Sequence, residues 1–144
     1  MTEIIYPYKR YNYKVLLDDR EEAGFSEVSG PGIVSDPTEC RMGSMTGKIP
    51  DKQAGELKYS NVTLRRGTTE SRAFMEWMKE LQNGKATRKT VVITLLDDEM
   101  NEAASWQLEK CWVTKYTAPD FNAASSETAI ESLELVTEGI RRIK

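Results

Sequence analysis

Histidine is missing from this chain of 144 residues. Its absence removes the side chain most used for proton transfer near neutral pH and the commonest transition-metal ligand. A Ser-His-Asp triad is therefore excluded, and Ser26, Ser29 and Ser44 have no base to activate them. Cys40 and Cys111 lack the same base, and they lie far apart with no partner at metal-ligand spacing. A strong excess of one charge is lacking too. Twenty basic residues stand against twenty-three acidic ones, giving a net charge of −3, and the basic residues form no stripe of the kind that tracks nucleic acid. Long apolar runs are also wanting: no segment approaches the roughly 20 residues of a membrane helix, and "MTEIIYPYKRYNYK" has no signal-peptide core.

Local motifs are equally sparse. Neither "VSGPGIV" nor "LQNGKATRKT" completes a phosphate-binding loop, and Asp97-Asp98-Glu99 lacks the ligand ladder of a calcium loop. Paired carboxylates at that cluster, at Asp18-Asp19 with Glu21-Glu22, or among the glutamates near the end could in principle flank a glycosidic bond, but the Asp97 cluster sits where a hairpin turn is expected and Asp18 to Glu22 reads as a polar connection. Asn61-Val62-Thr63 matches a glycosylation acceptor, yet it reads as strand in a chain without a secretion signal. No catalytic, cofactor-binding or metal-binding residue is assigned.

What the chain does have is alternation. Tyr11, Tyr13, Val15 and Leu17 fall on one face of a first strand, and Phe25 to Val34 reads as a second, bent at Gly30-Pro31-Gly32. The stretch from Ser35 to Gly55 loses periodicity, and the chain is divided accordingly into an N-terminal arm (1–9), a long loop (35–56) and a helix (69–83) within one domain, 1–144. "LKYSNVTLRRG" alternates again. Phe74, Trp77, Met78 and Leu81 then recur at i, i+3, i+4 and i+7, which predicts the one helix, with Thr68 or Thr69 at its start and Gly84 past its end. "KTVVITLL" reads as a buried strand. A long strand follows with Trp106, Leu108, Trp112 and Tyr116 on one side, and from Thr128 to Glu138 Leu133 and Leu135 oppose Ser132, Glu134 and Glu138. Phe74, Trp77, Met78, Leu81, Trp106 and Trp112 are the expected core anchors. Six or seven strands around one helix make a mainly β fold.

The ordered segments "YNYKVLLDD", "AGFSEVSGPGI", "LKYSNVTLRRG", "FMEWMKELQNGKATRKTVVITLLDDE" and "SWQLEKCWVTKYTAPDFNAASSETAIESLELVTEGI" together resemble the tail tube proteins of contractile phage tails and extracellular contractile injection systems. The resemblance runs from about Tyr11 to Ile140. It implies a β-sandwich with one helix, similar to the haemolysin-coregulated ring protein (Hcp) of type VI secretion, whose copies pool strands into a ring-shaped barrel. The implied role is structural, not enzymatic: hexameric rings stack into a hollow rigid tube that sheath contraction drives through a target envelope. The alternatives are a tube initiator or adaptor at the baseplate hub, and a monomeric small-ligand-binding β-barrel.

On that reading the partners are other copies of the chain, a sheath protein, baseplate and spike hub proteins, and a tape-measure or cargo protein in the lumen. No membrane anchor, specific nucleic-acid binding or cofactor is expected. Synthesis in a bacterial cytoplasm followed by assembly into a phage tail or tail-like particle is the expected history. Ile4, Ile5 and Tyr6 in the arm, and Met42, Met45 and Ile49 in the loop, are the expected contacts between subunits or rings. Ser132, Glu134 and Glu138 are expected to face the lumen.

Overall fold

The computed structural model of the chain describes residues 8–40 and 51–144. Among these residues there are ten strands and one helix, in the order β1 (Tyr13–Leu17), β2 (Arg20–Glu22), β3 (Phe25–Ser29), β4 (Ile33–Cys40), β5 (Asp51–Tyr59), β6 (Val62–Gly67), α1 (Ala73–Gln82), β7 (Lys89–Leu96), β8 (Glu102–Thr117), β9 (Ile130–Val136) and β10 (Gly139–Arg142). The fold is mainly β with a single helix. Its strands form two layers sharing one long member. The first layer runs β2-β1-β7-β8-β10 and the second β8-β9-β6-β3.

β8 reaches both layers because its backbone breaks step at Lys110 and again after Val113. Lys110 adopts φ 51°, and the pairing with β7 slips between Lys89 and Val91. An extra residue in one strand reverses which side chains face inward. Leu108 is thus buried before the bulge, and Cys111 and Val113 after it. This is why the expected single face of Trp106, Leu108, Trp112 and Tyr116 does not form. Trp112 shares neither face nor burial with Val113 and is only half-buried, opposite Val136; Trp106 is half-buried at the open end of the layers. A second slip, between Val113 and Lys115, returns Tyr116 to the inner side.

The short turns obey their backbone requirements. Asp18 and Asp19 join β1 to β2 with φ 53° and 65°, the two-residue turn whose twist suits a hairpin, and aspartate tolerates that left-handed region. Asp97 closes the β7–β8 turn by accepting the amides of Glu99 and Asn101, each at 2.9 Å.

Between the layers lies a core of Val15, Leu17, Val91, Leu108 and Cys111 from the first and Val62, Leu64, Val113, Leu133 and Leu135 from the second. α1 closes one end of it. Phe74 and Trp77 are buried, Met78 packs against the core from partial exposure, and Leu81 is half-buried. The helix starts at Ala73, later than the expected 69. Thr69 and Ser71 spend their hydroxyls on the turn before it, accepting the amides of Ser71 and Ala73 at 3.2 and 3.4 Å. Its end follows the glycine rule: Gly84 takes φ 86° while its amide donates to Leu81 and that of Lys85 to Glu80, both at 3.0 Å.

Of the stretch expected to be a loop over 35–56, the described residues 35–40 and 51–56 are strand. β4 and β5 pair as a two-stranded sheet of their own, continuing β3 and β6 outward beyond Gly30-Pro31-Gly32. Periodicity was lost there because both faces of this arm are solvated, so neither needs to be apolar. The bend itself depends on Gly30. Its φ is 94°, and a Cβ there would lie 2.3 Å from the Asn61 carbonyl oxygen.

Candidate assembly surfaces

Four features of the surface stand out. The first is the outer face of the second layer. Alternation along β9 sends Glu131, Leu133 and Leu135 inward and Ile130, Ser132, Glu134 and Val136 outward. Ser132 and Glu134 thereby join Thr63 and Arg65 of β6 and Lys115 and Thr117 of β8 around a shallow concavity, with Asp120 at its margin. Asn61 donates to the Glu134 carboxylate at 3.1 Å, and the Arg65 guanidinium lies 3.9 Å from Glu27. The face is hydroxylated and of mixed charge. Glu138 does not belong to it: that residue lies beyond the end of β9, exposed, in an ion pair with Arg88.

The second feature is a pair of free strand edges. Among the described residues β3 pairs only with β6, and β8 from Trp112 to Thr117 pairs only with β9, because β7 ends its ladder at Cys111. These two edges bound the same four-stranded layer. The third is the β4–β5 arm, which leaves Ile33, Val34 and Leu57 half exposed or more. A lone two-stranded hairpin is marginal in water, so this element is built to rest against something else. Ile4, Ile5, Tyr6, Met42, Met45 and Ile49, the expected contacts, lie outside the described residues.

The fourth is an open cleft between β3 and the far end of the first layer, lined by Tyr11, Tyr13, Phe25, Val28, Ile93 and Trp106. The Tyr13 hydroxyl is buried there without a hydrogen-bond partner, and burial raises its pKa.

One cluster inside the fold escaped sequence reading. Arg66 is fully buried. Its Nε donates to Glu131 at 2.9 Å, one terminal nitrogen to Glu22 at 3.0 Å and the other to the Ser71 carbonyl at 3.2 Å. The guanidinium also lies 4.1 Å from the Phe74 ring centroid. Ser71 donates to the same Glu22 oxygen at 2.9 Å, and Tyr116 donates to Glu131 at 2.9 Å. Every carboxylate has a donor and each of the three guanidinium nitrogens has an acceptor, which is the arrangement of a structural bolt. The available signal was Arg66 in the inward register of Val62 and Leu64.

Cys111, the other buried reactive group, has its thiol pKa raised by burial first, away from the reactive thiolate. Among the described residues no group of acidic or cysteine side chains could hold a metal ion. No helix is long and apolar enough to cross a membrane, again among those residues.

Comparison with known proteins bears on these surfaces directly. Residues 9–141 match the family described as T4-like virus tail tube protein gp19. A chain from the PVC sheath/tube terminator of an extracellular contractile injection system, in its extended state, is 25% identical with TM-score 0.88, covering 99% of this chain and 100% of that one. A chain from the PVC sheath-tube complex in the same state is 26% identical with TM-score 0.85, covering 95% and 91%. Hcp1 from Flavobacterium johnsoniae, 14% identical with TM-score 0.60 over 92% and 94%, shares the fold. No curated protein matches the chain.

Proposed function

The chain belongs to the tail tube protein family of T4-like viruses, a family of structural tube proteins and not enzymes, and on that premise we propose that six copies close into a ring whose stacked repeats form the inner tube of a contractile injection particle. The observation that carries this reading is the four-stranded second layer, which among the described residues has an unpaired edge on each side. Four strands cannot close on themselves. Six copies joined β3 to β8 give a barrel of roughly 24 strands, beyond the 16–18 that already leave an aqueous channel. Closure also removes the unpaired edges that otherwise invite uncontrolled association. Each new backbone hydrogen bond contributes only about 0.5–1.5 kcal/mol, but the sum runs around every ring.

In that ring the outer face of the second layer becomes the wall of the lumen. Ser132 and Glu134 line it, with Arg65 and Lys115 balancing the acidic groups, and a hydrated wall of mixed sign lets a protein cargo or tape-measure slide without sticking. The first layer faces outward, toward the sheath. The arm bridges to neighbouring subunits, with Met42, Met45 and Ile49 of the sequence between β4 and β5, and Ile4, Ile5 and Tyr6 near the N-terminus, as further contacts.

A role in an end ring has an observation of its own: similarity to the tube-terminator chain is as high as to the sheath-tube chain. Copy number per particle separates a repeated ring from a single terminal one.

Size-selective labelling tests the lumen. In a Cys40→Ser background, Ser132→Cys should react with a small maleimide and a bulky polymer maleimide in the free subunit. In assembled tubes it should react with the small reagent alone. Equal reaction with the bulky reagent in intact tubes would place Ser132 on the outside and overturn the assignment.

A further inference from the structure

A described element covers only one end of the sandwich. There α1 lays Phe74 and Trp77 over the core, and both are buried. At the other end the inward-facing side chains stay partly exposed. Ile93 and Leu95 lie on the same face of β7 as the fully buried Val91, yet both are only half-buried, and with Tyr13, Phe25, Val28 and Trp106 they line the cleft between β3 and the first layer. An apolar face continuous with the core and open to water is surface kept for an occupant. That occupant must also carry a polar group. The Tyr13 hydroxyl is buried in the cleft wall with no hydrogen-bond partner among the described residues, a cost that a purely apolar ligand cannot recover. A peptide brings both apolar side chains and backbone carbonyls that accept from a hydroxyl.

Reach selects the peptide. Two parts of the chain lie outside the described residues, 1–7 and 41–50. The second joins the arm at Cys40 and Asp51, roughly 24 Å along β4 from Ile33 at the arm's base. The first joins the chain at Tyr8, just before Tyr11 on the cleft wall. From Tyr13 to Trp106 the cleft floor crosses two strand spacings and two residues, about 12 Å. The stretch from Ile4 to Tyr11 spans up to about 23 Å when extended, enough to run the length of that floor. Its first three residues, Ile4, Ile5 and Tyr6, are the apolar ones that such a cleft takes.

We infer that Ile4, Ile5 and Tyr6 are seated in the cleft between β3 and the first layer of their own chain, extending the core over the end that α1 leaves open and giving the Tyr13 hydroxyl a backbone acceptor. This goes beyond the tube reading and does not depend on it, because it concerns the free subunit. A segment seated there lies beside the unpaired edge of β3, so it also meets the copy that joins that edge in the proposed ring.

Cysteine pairs in the free subunit, in a Cys40→Ser background, test it. A short bismaleimide should bridge Ile5→Cys to Val28→Cys within one chain, to the same extent at every protein concentration. It should not bridge Ile5→Cys to Met75→Cys on α1, at the opposite end of the core. Ile4→Ser combined with Ile5→Ser should keep the parent circular dichroism spectrum, unfold roughly 3–6 °C lower and bind more of a fluorescent dye that reports exposed apolar surface. No bridge to Val28→Cys, equal bridging to Met75→Cys, or bridging only between separate chains would overturn the inference. So would a double-serine variant with the parent's midpoint and dye signal. All of these are read on the unassembled chain, so failure here leaves the tube reading standing.

Discussion

Arg66 gives up its hydration completely, and three acceptors and an aromatic face take the place of the water. The cluster ties β2 of the first layer to β6 and β9 of the second and to the turn that starts α1, so removing the arginine strands two carboxylates in the interior. Arg66→Ala is expected to lower stability by about 3–5 kcal/mol in urea unfolding; a loss under about 1 kcal/mol would mean the cluster is hydrated in solution. Tyr116 adds a pH dependence. Burial first, then its bond to Glu131, raise its phenol above the usual 10. A folded pKa raised above the unfolded one contributes stability that is complete below the unfolded value and lost as pH rises through the folded one. Between pH 9 and 12 the native chain should therefore lose stability more steeply than Tyr116→Phe, and identical slopes would contradict this. The inward direction of Arg66 could be read from its spacing after Val62 and Leu64. Its partners could not, since Glu22 and Glu131 come to it only through the pairing of distant strands.

Among the elements, those with one apolar face were legible and those whose faces both meet solvent were not. α1 announced itself by Phe74, Trp77, Met78 and Leu81, and β9 by Leu133 and Leu135 against Ser132 and Glu134. β8 was misread in phase because nothing in "LEKCWV" marks Lys110 as the residue that takes a left-handed backbone. The arm was read as loop because the described side chains of β4 and β5 are mostly exposed on both faces. That independence has a measurable consequence at Gly55, opposite the slip between Ser35 and Pro37, where a Cβ would stand 1.9 Å from the Asp36 carbonyl oxygen. Gly55→Ala must distort the arm and leave the core alone. Its unfolding midpoint is expected within about 3 °C of the parent, while tube assembly fails in electron micrographs. A large fall in the midpoint, or normal tubes, would show that the arm is not the separate bridging element described.

For the molecule as a whole, the mainly β character and the one helix follow from side-chain alternation, and the sandwich and the family from the resemblance of segments in register along nearly the entire chain. The surfaces that assemble are less visible in the sequence, because free edges are a property of pairing order, and no residue type marks the end of a ladder. In the proposed tube the conduit is made by the second layer, open on both sides among the described residues and polar on its outer face, which other copies of the chain complete. A cryo-EM map of the native particle tests that claim most directly. The account predicts β3 of each copy hydrogen-bonded to residues 112–117 of its neighbour, with Ser132 and Glu134 facing a shared pore; a map in which those edges are capped within one subunit, or in which the first layer lines the pore, would contradict it.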